Sequence, residues 1–403
     1  MNKNHTLTPP NFHPRFWVFF VMALSILRGF RFPGGWATTQ FLVNYDIGMV
    51  RRGLWGEVLS SLFGLYAYKY QLIYAVILIN YCACIALLVY FSRKLLEKSA
   101  CYAAPLVVFF SSPAFVAFND SMGYYDQVGF LFTLLFLRVF DALSRRAYGA
   151  LYVVMLAVLA VTHEGQVLLW GGVLSLALWL KMGGWQSTPA DVARTAGFML
   201  LAVAVLWGIN ASFVDFTAEQ TVELNAMAGQ LANFPPRADY FGFLIGGTTR
   251  TRENIIDFWT YDSSWDFLLV SALLHLPACC YFVYIIMLQS GRNPLKLCAT
   301  LAFSLTPLLM YFFGFDLNRW NSYLVIALFL NGIICVQLLQ PAEPQAYLVN
   351  HKAIMAALFI SILSMNSHNY FFDGYGPKYY PYDSNIWYMR NVMNGTAPFP
   401  PLP

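Results

Sequence analysis

The sequence predicts an all-α polytopic integral membrane protein, a single membrane domain over residues 1–403 with about 11 transmembrane helices. Three observations carry that expectation. Only 11% of the 403 residues are charged and 59% are hydrophobic, with mean hydropathy +0.55, whereas a soluble chain carries roughly 25% charge. Apolar runs of membrane-crossing length recur along the whole chain. The basic residues gather in alternate connections, as the positive-inside rule requires. Disorder is excluded by 35 Phe, 25 Tyr and 11 Trp, far more burial than a disordered chain carries.

The elements follow in order. A polar, proline-rich start, MNKNHTLTPPNFHPR, leads into a first apolar run at 15–31. No small-residue cleavage site follows it, so it reads as a retained span rather than a signal peptide. A first outer loop, 32–69, contains NYDIGMVRRGLWGE (44–57) and the amphipathic stretch 54–67, too short to cross and placed flat at the interface. Further spans are expected at 70–92, 101–118, 127–142, 149–163, 166–181 and 195–213. A long outer loop, 214–265, comes next, with a helix over 215–232 that breaks at Pro235 and Pro236. The last spans are 266–288, 297–315, 321–338 and 353–366.

Charge sets the orientation. With the N-terminus cytoplasmic and the C-terminus extracytoplasmic, the inner connections hold 13 basic and four acidic residues, a net of +9 against −5 outside. Short inner loops such as RKLLEK (93–98) and LSRR (143–146) carry this bias. A bacterial cytoplasmic (inner) membrane is the expected location. Five polar clusters then fall on the outer face: 44–57, 119–127, 162–166, 212–265 and 315–321. They can converge on one outward site.

Each cluster has a chemical and a plain reading. Asp46 supplies a carboxylate while Arg51 and Arg52 supply guanidinium forks for a phosphate; alternatively the loop only meets lipid headgroups. NDSMGYYDQ offers Tyr124, Tyr125 and Asp126, either a sugar-binding surface or an aromatic belt. His163 and Glu164 in THEGQ suit a base with an orienting partner, or metal ligation, or a polar hairpin turn. Asp316 and Arg319 in FDLNRW stand at i, i+3 and either pair with each other or hold a lipid phosphate. The zinc-protease pattern HExxH is absent, and the seven cysteines, all within or at the ends of apolar runs, read as small core residues. No nucleotide fingerprint occurs and no transporter-type internal repeat is visible. No feature points to nucleic acid, and whether a metal such as a divalent cation is used stays open.

This pattern resembles the GT-C superfamily of polytopic glycosyltransferases. The shared features are an acid in the first outer loop (Asp46) ahead of an interfacial helix (54–67), Tyr125–Asp126 in the second, and chemistry confined to one face. NYDIGMVRRGL, HEG and FDLNRW also look like multispan proteins of bacterial surface polysaccharide assembly, including O-antigen-type polymerases. The resemblance implies a polyprenyl-(di)phosphate-linked sugar donor, a glycan or lipid-linked acceptor, and no soluble nucleotide-sugar domain. The adjacent acid pair of some GT-C first loops is missing, because Ile47 follows Asp46. Asp46, Asp126 and Glu164 therefore stand as alternative bases, with Arg51, Arg52 or Arg319 for the leaving phosphate. The competing class is a transporter or flippase of a lipid-linked sugar or other anionic solute.

Overall fold

A computed structural model describes residues 14–46, 48–242, 262–291, 293–313 and 316–339, with isolated positions at 256, 257, 260, 356, 359, 360 and 394. The described regular structure is helical throughout. It begins with α1 (Pro14–Gly29), the short α2 (Gly35–Thr39), α3 (Leu54–Phe63) and the long α4 (Tyr70–Lys98). Then come α5 (Ala103–Ser111), α6 (Pro113–Asp120), α7 (Tyr125–Arg138), α8 (Arg145–Thr162), α9 (Gln166–Met182) and α10 (Pro189–Ser212). The long outer loop contributes α11 (Ala218–Leu231) and α12 (Ala238–Gly242). The chain continues through α13 (Asp262–Ser290), α14 (Pro294–Ser304) and α15 (Leu317–Phe329), which runs directly into a π-helical segment, Leu330–Leu339.

Five helices among the described residues are long and apolar enough to cross a membrane, or up to seven if each bent pair counts as one span. The expected count was eleven. Part of the difference is length: α1, α7 and α9 have 16, 14 and 17 residues, short of the roughly 20 that a 30 Å hydrocarbon core needs at 1.5 Å per residue. Part lies in breaks. The run 101–118 splits at Ser112, whose hydroxyl accepts the Phe115 N–H while Pro113 starts the next helix, and α5 and α6 meet at 52°. Composition is equally apolar on both sides of that break, so hydropathy alone merges the two. The candidate span 353–366 lies outside the described residues apart from three isolated positions.

Burial sorts the helices into layers. Of the apolar window in Leu317–Leu339, 83% is buried, against 11% for Pro189–Ser212. The first is therefore the axis of the bundle, and α10 is its outermost staff. Helix α9 is also central: a Cβ on Gly172 would stand 1.9 Å from the Phe303 carbonyl oxygen, so only glycine lets α14 cross there. Aromatic contacts fill the core, with Phe109 stacked on Phe329 at 3.8 Å and Trp170 edge-on to Tyr323 at 5.2 Å. Where the axis widens into its π-helical turn, two buried amides are held from outside it. Asn331 Nδ2 donates to Ser304 Oγ (3.0 Å), and Gln337 Oε1 accepts from Tyr102 (2.7 Å).

In the stretch 54–67, expected to lie at the interface, Leu62, Phe63, Leu65 and Tyr66 are exposed. A helix forms in the long loop as expected, starting at a reciprocal cap between Thr217 and Gln220. The two ends of the bundle differ in charge. At one, Asp191 holds Arg145 and Arg194 at 3.1 Å each, Lys181 Nζ caps the Phe140 carbonyl and Lys98 Nζ caps the Gln337 carbonyl. At the other, described parts of the polar clusters meet: Arg51 with Asp215, Arg52 with Glu164 and Arg319 with Asp126.

Candidate functional site

The connection between α1 and α4 divides its charges rather than pooling them. Asp46 Oδ2 accepts from Asn44 Nδ2 at 2.5 Å, and the Asp46 N–H returns a bond to Asn44 Oδ1 at 3.3 Å. Asp46 is exposed and, among the described residues, forms no ion pair. The expected association of Asp46 with the two arginines is therefore not made. Arg51 instead reaches Asp215 (3.3 Å) over the ring of Phe213, beside a backbone bond from Val214 N–H to Met49 O (2.9 Å).

Arg52 turns the other way. Its φ of 66° is the single positive value among the described non-glycine residues, a left-handed conformation that costs about 1 kcal/mol. The turn sends the side chain inward, where Nη2 meets Glu164 Oε1 at 2.9 Å. The Tyr125 hydroxyl holds the loop at the Gln40 carbonyl (2.8 Å), with the Arg52 carbonyl at 3.4 Å. Tyr240, from α12, completes this side with its phenol against the guanidinium.

Deeper in lies a second charged group. Asp126 opens α7, where an acid suits the helix N-terminus, and its side chain is only 2% exposed. Both carboxylate oxygens are taken: Oδ1 by Gln166 Nε2 (2.5 Å) and Oδ2 by Arg319 Nε (2.7 Å). Gln166 is fixed in turn by Trp170 Nε1, which donates to its Oε1 at 2.8 Å. Arg319 gives Nη1 to Asp316 Oδ2 (2.7 Å), so the expected i, i+3 pair forms, and Asp126 joins it from another helix. The rings of Tyr124 and Trp320 flank the guanidinium, each 4.9 Å away.

His163 ends α8 within the field of both groups; Arg52, Glu164, Asp126 and Arg319 all act on it electrostatically. The Gly165 N–H donates to His163 Nδ1 at 3.0 Å, which puts the neutral imidazole's proton on Nε2. In this tautomer His163 presents a hydrogen-bond donor at Nε2. Glu164 faces Arg52 rather than orienting the imidazole, its Oε2 standing 3.8 Å from Nδ1. Burial, then the Arg52 charge, push His163 down to about 4. Burial raises the Glu164 carboxyl, yet Arg52 and His163 outweigh it and hold it well below the usual carboxylate range. Burial also keeps Asp316 above its ordinary value despite the neighbouring Arg319.

A pH dependence follows from His163. Its folded pKa is depressed, so the unfolded chain takes up a proton first, near its ordinary value of 6.5. Stability is expected to fall as pH drops from about 6.5 to about 4, with Glu164 adding a loss below the ordinary carboxylate range. Melting curves in detergent across that window check this, and His163→Gln should flatten the upper part. An unchanged slope in that variant would remove His163 from the account.

The structure thus brings Arg52, Tyr124, Tyr125, Asp126, His163, Glu164, Asp316 and Arg319 to one place and leaves Asp46 and Arg51 at its edge. Gln166 and Tyr240 join the cluster without having been singled out. Gln166 stands at the first position of an apolar run, a placement that signals an inward polar contact. Tyr240 lies in a long loop with several aromatics and has no distinguishing signal. Among the described residues no group of three or more His, Cys, Asp or Glu is arranged to hold a metal ion. Only Cys84 and Cys335 are buried, whereas Cys82, Cys280 and Cys298 are exposed on helix surfaces. The expectation of core cysteines is corrected there, because small apolar thiols suit a lipid-facing surface as well as a core.

No protein-family model, curated protein or solved structure matches this chain.

Proposed function

We propose that this chain is a membrane glycosyltransferase. It would take a sugar from a polyprenyl-(di)phosphate donor on the extracytoplasmic face, in the assembly of a surface polysaccharide or glycoconjugate, as an O-antigen-type polymerase does. The observation that carries this reading is the pairing of an accessible carboxylate with an arginine at the polar end of an apolar bundle. Glu164 is 47% exposed and has one oxygen on Arg52, whereas both oxygens of Asp126 are occupied. Transfer to a hydroxyl needs a carboxylate within reach of the acceptor proton, and the departing phosphate needs fixed positive charge. Glu164 suits the first role and Arg52 the second, with His163 beside Glu164 as a further hydrogen-bonding group. Tyr124, partly exposed beside Arg319, offers a ring of the kind sugars stack on. The GT-C resemblance supports the same assignment.

Orientation is part of the proposal. The basic end, with Lys94, Arg145, Arg146 and Lys181, would face the cytoplasm. Single cysteines replacing the exposed Asp46 and Asp215 are expected to react with an impermeant thiol reagent added outside, and those replacing Lys94 and Arg146 are not, in a background stripped of native cysteines. Labelling of Asp46 and Asp215 positions from opposite sides would break the one-ended site.

Transport of a lipid-linked sugar or anionic solute is the second reading. It draws on the ion pairs enclosed by the bundle, Arg31 with Asp120 and Arg319 with Asp126, since charges within helices mark ion and substrate paths. Purified protein in detergent, given a polyprenyl-diphosphate-linked oligosaccharide and an acceptor glycan, is expected to release polyprenyl diphosphate and lengthen the acceptor with no gradient present. Movement of labelled lipid-sugar across liposomes with no new glycosidic bond would decide for transport.

A further inference from the structure

We propose that Glu164 occupies the place of the substrate phosphate on Arg52, so that donor binding exchanges Arg52's partner and sets Glu164 free as the base. This deepens the transferase reading and rests on it for the chemical step alone. Three features of the cluster lead here.

First, the two arginines are not equivalent. Arg319 is matched by two carboxylates, from Asp126 and Asp316, and clasped between two aromatic rings. Arg52 is matched by one carboxylate, through one terminal nitrogen. An incoming phosphate gains little from an arginine whose charge is already over-compensated, and two cations against three carboxylates leave the whole cluster negative. Only displacement of a carboxylate makes it a phosphate site. Glu164 is the displaceable one, at 47% exposed against 2% for Asp126 and 26% for Asp316.

Second, Arg52 is directed toward the cluster by more than its carboxylate partner. The left-handed turn at φ 66° aims the Cα–Cβ bond inward, the Tyr125 hydroxyl secures the adjoining main chain, and the Tyr240 phenol stands against the guanidinium. Loss of Glu164 therefore leaves the guanidinium in place to accept a phosphate bidentately.

Third, a carboxylate bound to an arginine is a poor base, because the cation stabilises its ionised form. Once the phosphate takes the arginine, that stabilisation is withdrawn and the carboxylate becomes more basic. The step is balanced. The acceptor O–H gives its proton to Glu164, and its oxygen forms a bond to the anomeric carbon. The carbon–oxygen bond to phosphate breaks, and the electron pair leaves on the phosphate oxygen against Arg52. Base strength then appears only when the donor is present, which keeps water from being activated at an empty site.

Direct binding to purified full-length protein tests the exchange without turnover. The probes are inorganic phosphate, farnesyl phosphate and, as the uncharged control, farnesol, titrated in detergent. Glu164→Gln keeps the side chain's size and removes its claim on Arg52, so farnesyl phosphate is expected to bind about fivefold more tightly than to the unaltered protein. Arg52→Ala is expected to lose about tenfold or more, and Arg52→Lys less than Arg52→Ala. Inorganic phosphate following the same order would assign recognition to the phosphate; farnesyl phosphate alone following it would assign a lipid headgroup. Either supports the exchange. Unchanged or weaker binding of both phosphates by a Glu164→Gln protein that melts normally overturns it, as does equal binding by Arg52→Ala. If the exchange is seen while the unaltered protein forms no glycosidic bond, the anion site stands and the transferase reading fails.

Discussion

Arg319→Ala is expected to lower the unfolding free energy by about 3–5 kcal/mol, because it leaves a buried carboxylate without its countercharge. Asp126 is 2% exposed and would keep the Gln166 amide and the Tyr323 phenol as neutral partners but no countercharge. Total stabilities run to only about 5–15 kcal/mol, so the variant is expected to unfold or degrade in cells. The same logic predicts recovery when both charges go. Asp126→Asn with Arg319→Gln removes the buried carboxylate together with its countercharge and so most of the penalty, Asp316 being 26% exposed and open to water. Denaturation in mixed micelles measures both variants. A loss below about 1 kcal/mol for Arg319→Ala would put the pair in the class of solvated surface bridges and contradict the enclosed geometry.

Glu164→Gln has the other large effect, on rate and not on folding. Removing a positioned base slows proton transfer by about 10²–10⁴, whereas a half-exposed pair such as Glu164 with Arg52 contributes only about 0–1 kcal/mol to stability. Transfer by purified Glu164→Gln is expected to fall into that range while its melting temperature stays near that of the unaltered protein. Asp46→Asn is the matched control: Asp46 sits on Asn44 and away from both arginines, so its transfer is expected to be retained. Loss of transfer in Asp46→Asn with retention in Glu164→Gln would move the base back to the first loop.

These two expectations rest on information of different origin. That FDLNRW holds an Asp and an Arg one helical turn apart is a property of six adjacent letters, and the i, i+3 pair could be read directly. That Asp126 completes the pair could not. It depends on how α7 and α15 are rotated against α9, and that rotation is set by packing, such as Trp170 against Phe130 and Tyr323. Likewise NYDIGMVRRG places Asp46, Arg51 and Arg52 side by side in the chain, and proximity in sequence suggested a shared task. The fold separates them, because a left-handed residue at Arg52 reverses the direction of its side chain relative to Arg51. Backbone sign at a single non-glycine position has no signature in residue identity.

Span counting shows the same division. Hydropathy sums over a window and is blind to where a helix bends, so Ser112–Pro113 and Leu305–Pro307 break runs that composition treats as whole. By itself the sequence determined the all-helical membrane class and the polar stretches whose described parts meet through Arg51–Asp215, Arg52–Glu164 and Arg319–Asp126. Those follow from local composition, since the cost of burying charge in lipid acts on every residue alike. Only the tertiary structure decided which acid meets which arginine. Partner choice at a separation such as the 112 residues between Arg52 and Glu164 is fixed by helix rotation and loop direction, and these are set by packing across the whole bundle.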